Sequence, residues 1–338
     1  MRCAIVGSGL AALATHATLR HRGVAAEEIA VFGTSADPLA AWRGRAASIR
    51  KQRMRSESDG HLAPASFPGL AVRRGSWRAL LETALSRYHP TVDEFLAHAE
   101  SVRERSAWDT SFVQRRVERI RAVDGGFSVD GAEFSHVLIA TGHPGLALVP
   151  GTVHAYEPHE YAAQVAVLGA GMAAATEWRN ALAAGAEGVS GRRREPGHRP
   201  LNGPRELFSE RGLARFRRTD RAATLQALAQ PSYPAELHVD VPVVAAPPPG
   251  FQVIAATGFL RGYAHDPLLA DLVDAHALET CDRWLVLEDD STVPALTDER
   301  RTLSVAGVAG QWAFPAADTI AGAKFAARAF ARRVCRTR

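Results

Sequence analysis

The chain is poor in cysteine: Cys3, Cys281 and Cys335 stand far apart among 338 residues, and none forms a C-x-x-C pair. A disulfide framework, a zinc ribbon and a redox dithiol therefore lack their residues. No metal site is expected. Lysine is scarcer still: of 40 basic residues only Lys51 and Lys324 are lysine, the rest arginine. With abundant alanine, this reads as coding bias as much as chemistry. No apolar run reaches the roughly 18 residues that a membrane helix needs. Met1-Arg2-Cys3 leads straight into a short apolar run and a glycine turn, without the long stretch and cleavage site of a signal peptide. A cytoplasmic protein that does not enter a membrane is expected. A net charge of +4 is small for this length, and no RRM or zinc-finger signature accompanies it, so nucleic acid is not an expected partner.

What is present is the balance of a globular protein, 46% hydrophobic and 22% charged residues, which excludes disorder for most of the chain. At about 150 residues per domain the length predicts two domains, at most three.

The first informative segment runs from Arg2 to Phe32. Cys3-Ala4-Ile5-Val6 is apolar throughout, as a buried parallel strand is. Gly7-Ser8-Gly9-Leu10-Ala11-Ala12 follows, then Leu10, Leu13, Ala14 and Ala17 at helical spacing, then the apolar run Ile29 to Phe32. This is strand, turn, helix, strand with G-x-G-x-x-A at the first turn. Gly7 permits the tight turn, Gly9 lets backbone approach a pyrophosphate, and Ala12 lets helix pack on strand. The helix N-terminus is a favourable place for the anion.

One such pattern is weak evidence, but it occurs twice. Val165 to Leu168 leads into Gly169-Ala170-Gly171-Met172-Ala173-Ala174 and a second helix-like stretch. Each copy is followed by an apolar run ending in Ala-Thr-Gly, at Thr141-Gly142 and at Thr257-Gly258. The stretch before the first is turn-rich, with Asp124-Gly125-Gly126 predicting a hairpin. Two dinucleotide sites follow.

The end of the second strand of each module selects the nucleotide: an acid suits a ribose diol, an arginine a 2′-phosphate. The second module carries Arg192-Arg193-Arg194 there and no acid. Paired guanidinium hydrogen bonds can clamp a phosphate, which predicts a preference for NADPH. In the first module the acid is missing, since Phe32 is followed by Gly33-Thr34-Ser35-Ala36-Asp37. Asp37 reaches the ribose from the loop, or Thr34 or Ser35 does, or the site is weakened. Two nucleotides in one chain commonly mean that one is held and the other delivers hydride to it.

These residues together resemble the two-dinucleotide-binding-domain flavoproteins, and most of all the class B flavin monooxygenases. Asp37 to Trp42, and Met54-Arg55-Ser56 through His61-Leu62, are similar to flavin-walling segments of lysine and ornithine N-hydroxylase-like proteins. His154 and His159-Glu160-Tyr161 resemble the histidine region before the second glycine motif. The resemblance implies an α/β fold with two Rossmann-like dinucleotide-binding domains. An NADPH-binding domain (151–258) is expected to be inserted into a discontinuous FAD-binding domain (1–150 and 259–338). Implied cofactor-binding residues are Gly7, Gly9, Leu10, Ala11, Asp37, Trp42, Arg55, Ser56, His61, Val117, Thr141 and Gly142 for the first site, with Gly307, Asp318 and Thr319 from the C-terminal part. Gly169, Gly171, Met172, Ala173, Arg192, Arg193, Thr257 and Gly258 belong to the second.

Ile320, Ala323, Ala327, Phe330 and Val334 predict a closing helix with Asp318 as N-cap. In the family that helix points its positive end at the flavin. Trp178 is expected to be core. The expected activity is FAD- and NADPH-dependent monooxygenation of a small molecule by molecular oxygen, through a flavin hydroperoxide, with N-hydroxylation of an amine as the favoured reaction. Catalysis is flavin-centred, with His159 and Gln311 as side-chain candidates. A reductase that does not oxygenate, and a non-catalytic nucleotide-binding protein, are the rival readings. A homo-oligomer is compatible with all three.

Overall fold

The computed structural model describes residues 2–50, 54, 90–192, 210–228 and 239–336. It divides into two compact units: residues 1–42, 52–144 and 261–338 form the first, residues 43–51 and 145–260 the second.

In the first unit, β1 (Cys3–Val6) and β2 (Ile29–Gly33) are buried at every position. With β3 (Phe112–Gln114), β7 (His136–Ile139) and β14 (Thr302–Val305) they form a parallel sheet in the order β14-β7-β1-β2-β3. The all-apolar runs follow from burial on both faces. The register aligns Val6 with Phe32 on one side and with Ile139 on the other. The helix α1 (Leu10–His21) buries Ala12, Leu13, Ala14 and Leu19 and packs against the closing helix α9 (Ile320–Arg336). The five residues at helical spacing in α9 are all buried. A three-stranded antiparallel sheet, β4 (Ile120–Val123), β5 (Gly126–Val129) and β6 (Ala132–Phe134), branches from the segment before β7. Its first hairpin turns at Asp124-Gly125, with Gly125 at φ +74°. Phe127, Ile120, Phe134, Leu272 and Leu303 share one core with the parallel sheet. Leu272 lies on α8 (Pro267–His276).

The second unit repeats the plan. β9 (Gln164–Leu168), β10 (Gly188–Arg192), β11 (Gln252–Ala255) and β8 (Val153–His154) form a parallel sheet in the order β10-β9-β11-β8. The helix α5 (Met172–Ala183) follows β9 as α1 follows β1. Its core holds Val165, Val167, Ala174, Ala175, Ile254 and a fully buried Trp178. As expected, Trp178 is core: its indole lies against β10 so closely that a Cβ built on Gly191 falls 2.7 Å from it.

Candidate functional site

Each unit folds its glycine motif into a cradle whose shape forbids side chains. In the first, Gly7 leaves β1 at φ +115°, a conformation that strains any L side chain. Its amide donates to the carbonyl of Phe32 at 2.8 Å. A Cβ on Gly7 would lie 2.2 Å from the Ala140 carbonyl oxygen, so the glycine turn and the first Ala-Thr-Gly segment touch backbone to backbone. Gly9 is the N-cap of α1 and has no side chain to cap it; a Cβ there would meet nothing within 4 Å. No acidic residue occupies the first turn. The amides of Leu10, Ala11 and Ala12 therefore begin a helix without a neutralising side chain.

The second cradle has the same construction. Gly169 sits at φ +149°, and its Cβ would lie 2.5 Å from the Ala256 carbonyl oxygen. Gly171 is an N-cap with no side-chain hydrogen bond, and α5 also lacks an acid in its first turn. Met172 and Ala173 open that helix, and Met172 is 43% exposed.

The two Ala-Thr-Gly turns are held differently. Both use left-handed glycines, Gly142 at φ +80° and Gly258 at φ +80°. In the first unit the Thr141 hydroxyl donates to Asp266 Oδ2 at 2.5 Å. Gly307, at φ +73°, brings its backbone beside Gly142. In the second unit the Thr257 hydroxyl donates to the Ala147 carbonyl. There His154 is almost wholly buried; its Nε2 donates to the Gly258 carbonyl at 3.1 Å while its Nδ1 accepts from the Tyr156 amide at 3.2 Å. Those partners fix one neutral tautomer. Burial holds the His154 pKa below its ordinary value, against the opposing Gly258 hydrogen bond and the charges of Glu157 and Glu177.

His159 belongs to a buried cluster. Its Nδ1 lies 2.7 Å from the Glu157 carbonyl oxygen and its Nε2 3.0 Å from Glu177 Oε2. Acceptors on both sides require protons on both nitrogens. The hydrogen bond to Glu177 raises the His159 pKa against the effect of burial. The Tyr161 hydroxyl donates to the same Glu177 oxygen at 2.8 Å, and Arg50 stacks over the Tyr161 ring. Burial first, then the Glu177 charge, pushes the Tyr161 hydroxyl up. Glu177 itself is completely buried on α5. With both nitrogens engaged, His159 ties the segment before β9 to α5.

Other expected residues fall as follows. Asp37 caps its own loop, accepting from the Leu39 amide at 2.8 Å. Trp42 stands 4.8 Å, centroid to centroid, from Phe95. Val117 is buried. Gln311 is buried in a 3-10 turn, Gly307–Trp312, and donates to the Pro315 carbonyl. Asp318 is not the N-cap of the closing helix. The helix starts at Ile320, and Thr319 caps it by accepting from the Gly322 amide at 3.2 Å. Asp318 stands one residue outside and faces Arg261 at 3.8 Å. Burial raises its carboxyl pKa, against the pull of Arg261. Arg55, Ser56, His61 and Arg193 lie outside the described residues. Arg192 ends β10 level with Leu168, as Phe32 is level with Val6, so Arg193 is the sequence counterpart of Gly33.

Asp266 and Ser8 carry no sequence signal of their own. Asp266 lies 125 residues from Thr141. Ser8 is one of the variable positions of its motif.

No family model and no curated protein matches the chain. Solved structures do. An ornithine N-hydroxylase from Kutzneria sp. 744, in complex with reduced FAD, NADP+ and L-ornithine, is 15% identical, with 99% of this chain and 98% of that one covered at a TM-score of 0.70. An L-lysine 6-monooxygenase from Pseudomonas syringae is 12% identical, with 99% of each chain covered at 0.64. A bacillithiol disulfide reductase from Bacillus cereus is 16% identical, with 98% of each chain covered at 0.59. The chain has the α/β fold of these structures, with two Rossmann-type domains.

Proposed function

We propose that the chain is an FAD- and NADPH-dependent monooxygenase acting on a small molecule, with N-hydroxylation of an amine as its reaction. The observation that carries this is the duplicated cradle. Gly7 against Ala140 and Gly169 against Ala256 leave room for backbone alone, and each is followed by an uncapped, acid-free helix start. Such a helix start accommodates a pyrophosphate.

The residues fit the two groups by shape and by charge. Gly7, Gly9, Leu10 and Ala11, with Thr141, Gly142 and Gly307, would hold FAD in the first unit. Gly169, Gly171, Met172, Ala173, Thr257 and Gly258 would hold NADPH in the second, with Arg192 and Arg193 at its 2′-phosphate. Bound there, FAD supplies hydride acceptance from NADPH and the activation of molecular oxygen. The chain's own residues bind and orient. His154 and Asp266 brace the two Ala-Thr-Gly turns, and the His159–Glu177 pair holds the start of the second unit to α5. The N-hydroxylases among the similar structures support the amine reading.

A second reading, an oxidoreductase that does not oxygenate, is supported by the bacillithiol disulfide reductase of the same fold. The visible spectrum of the purified protein tests the first step. A flavin spectrum that bleaches anaerobically with NADPH is expected, and a protein that FAD cannot reconstitute would overturn the proposal. Oxygenated product from an amine panel then separates the two enzymes. NADPH oxidation that yields only hydrogen peroxide across the panel would favour the reductase.

A further inference from the structure

Asp266 joins the start of α8 to the first Ala-Thr-Gly turn. It is 8% exposed. Its Oδ1 accepts from the amides of Leu268 and Leu269 at 3.0 and 3.5 Å, which caps α8 over Pro267. Its Oδ2 accepts the Thr141 hydroxyl. Further along, α8 is clamped to the antiparallel sheet: Asp271 takes both ends of the Arg121 guanidinium at 2.6 and 2.8 Å, and His276 Nε2 lies 3.4 Å from the Ala122 amide. The turn at Thr141-Gly142 is thus tied through one carboxylate to an element anchored elsewhere. The cradle needs such a tie. Gly7 and Ala140 touch with no side chain between them, so a small movement of the turn changes the cradle's depth. Thr141 is itself exposed.

We propose that Asp266 is a positioning residue of the first cradle, fixing the Ala-Thr-Gly turn through the Thr141 hydroxyl and placing a carboxylate directly against that turn. The second unit uses a neutral histidine, His154, for the equivalent task. The charge is therefore particular to the first. This inference rests on the reading that the first cradle holds FAD.

Three substitutions in the full chain separate its parts. Thr141→Val removes the donor. Asp266→Ser keeps a capping oxygen but is too short to reach Thr141. Asp266→Asn keeps both cap and contact and removes only the charge. FAD affinity of the apoprotein is read from quenching of flavin fluorescence, and the midpoint potential from an anaerobic reductive titration. Thr141→Val and Asp266→Ser should each weaken FAD binding about 10-fold or more, the scale of one hydrogen bond to a charged group. The double variant should be no worse than either single. Thr141→Ser should bind as the wild type does. Asp266→Asn should keep affinity and shift the midpoint potential upward, because an anion beside the cradle opposes the flavin's taking up electrons.

Wild-type affinity and potential in all three variants would overturn the proposal while leaving the FAD reading intact. So would a lowered melting temperature of apo Asp266→Ser with unchanged FAD affinity, which assigns the residue to capping alone. A wild-type protein that takes up no FAD would overturn both readings together.

Discussion

Ser8 occupies the space that a side chain at Gly33 would need: a Cβ built on Gly33 lies 2.1 Å from the Ser8 hydroxyl oxygen and 2.3 Å from its Cβ. The absent acid at the end of β2 is therefore coupled to a residue inside the glycine motif. Gly33→Glu should lower FAD affinity, because the new side chain must displace the turn that forms the cradle. Adding Ser8→Gly should recover the loss. Fluorescence titration of both variants checks this, and a gain in affinity from Gly33→Glu alone would show that the clash is relieved elsewhere.

The two cradles can be disabled separately. Gly7→Ala and Gly169→Ala each force a methyl group against a carbonyl at a positive φ, at a cost above about 2 kcal/mol in the local structure. Gly7→Ala is expected to purify without flavin. Gly169→Ala should keep its yellow colour and lose anaerobic reduction by NADPH.

Arg192 holds the register position that Phe32 holds in the other unit, and Arg193 follows it in sequence as Gly33 follows Phe32. Replacing both with serine should lower kcat/KM for NADPH about 10-fold or more relative to NADH, since a clamp on the 2′-phosphate contributes on the order of 1.5–3 kcal/mol. Steady-state kinetics with the two nucleotides decide it. An unchanged ratio would place the phosphate contact elsewhere.

Buried histidines give the first unit an acid limit. His16 bridges the Ser106 and Ser111 hydroxyls, and His136 lies inside β7. Burial, aided by the positive charges of Arg20 and Arg2, lowers both pKa values to about 4. The unfolded chain then binds the extra protons between about pH 6.5 and 4. Stability should be full above pH 6.5 and fall as the pH drops toward 4, by on the order of 3 kcal/mol per histidine. Denaturant midpoints across that range measure the slope, and His16→Asn should flatten it.

In the second unit His159 acts in the opposite sense to these histidines and to His154. Its pKa is raised by Glu177. The stabilisation is complete below the unfolded value of about 6.5 and is lost as the pH rises through the higher folded value. His159→Gln leaves Glu177 buried without its cationic partner and should cost about 3 kcal/mol. It should also remove the alkaline decline.

Local repetition made much of this molecule readable. Cys3 to Phe32 and Val165 to Arg192 each carry an apolar strand, a glycine turn and a helical spacing within one short stretch. Those patterns depend only on neighbours along the chain, so the two Rossmann modules, the hairpin at Asp124-Gly125, the stripe of α9 and the burial of Trp178 were legible. The N-cap of α9 was misplaced by one residue because Asp318 and Thr319 are both good caps, and only the backbone path chooses between them.

The tertiary structure decided the contacts between residues distant in the chain. Ser8 excludes a side chain at Gly33, Asp266 holds Thr141, and His154 holds Gly258. His159, a catalytic candidate by its place in the sequence, has both nitrogens committed to Glu157 and Glu177. Sequence determines which groups are available and how they repeat. Which of them meet at hydrogen-bond distance depends on strand order and register, and neither is written in any local stretch.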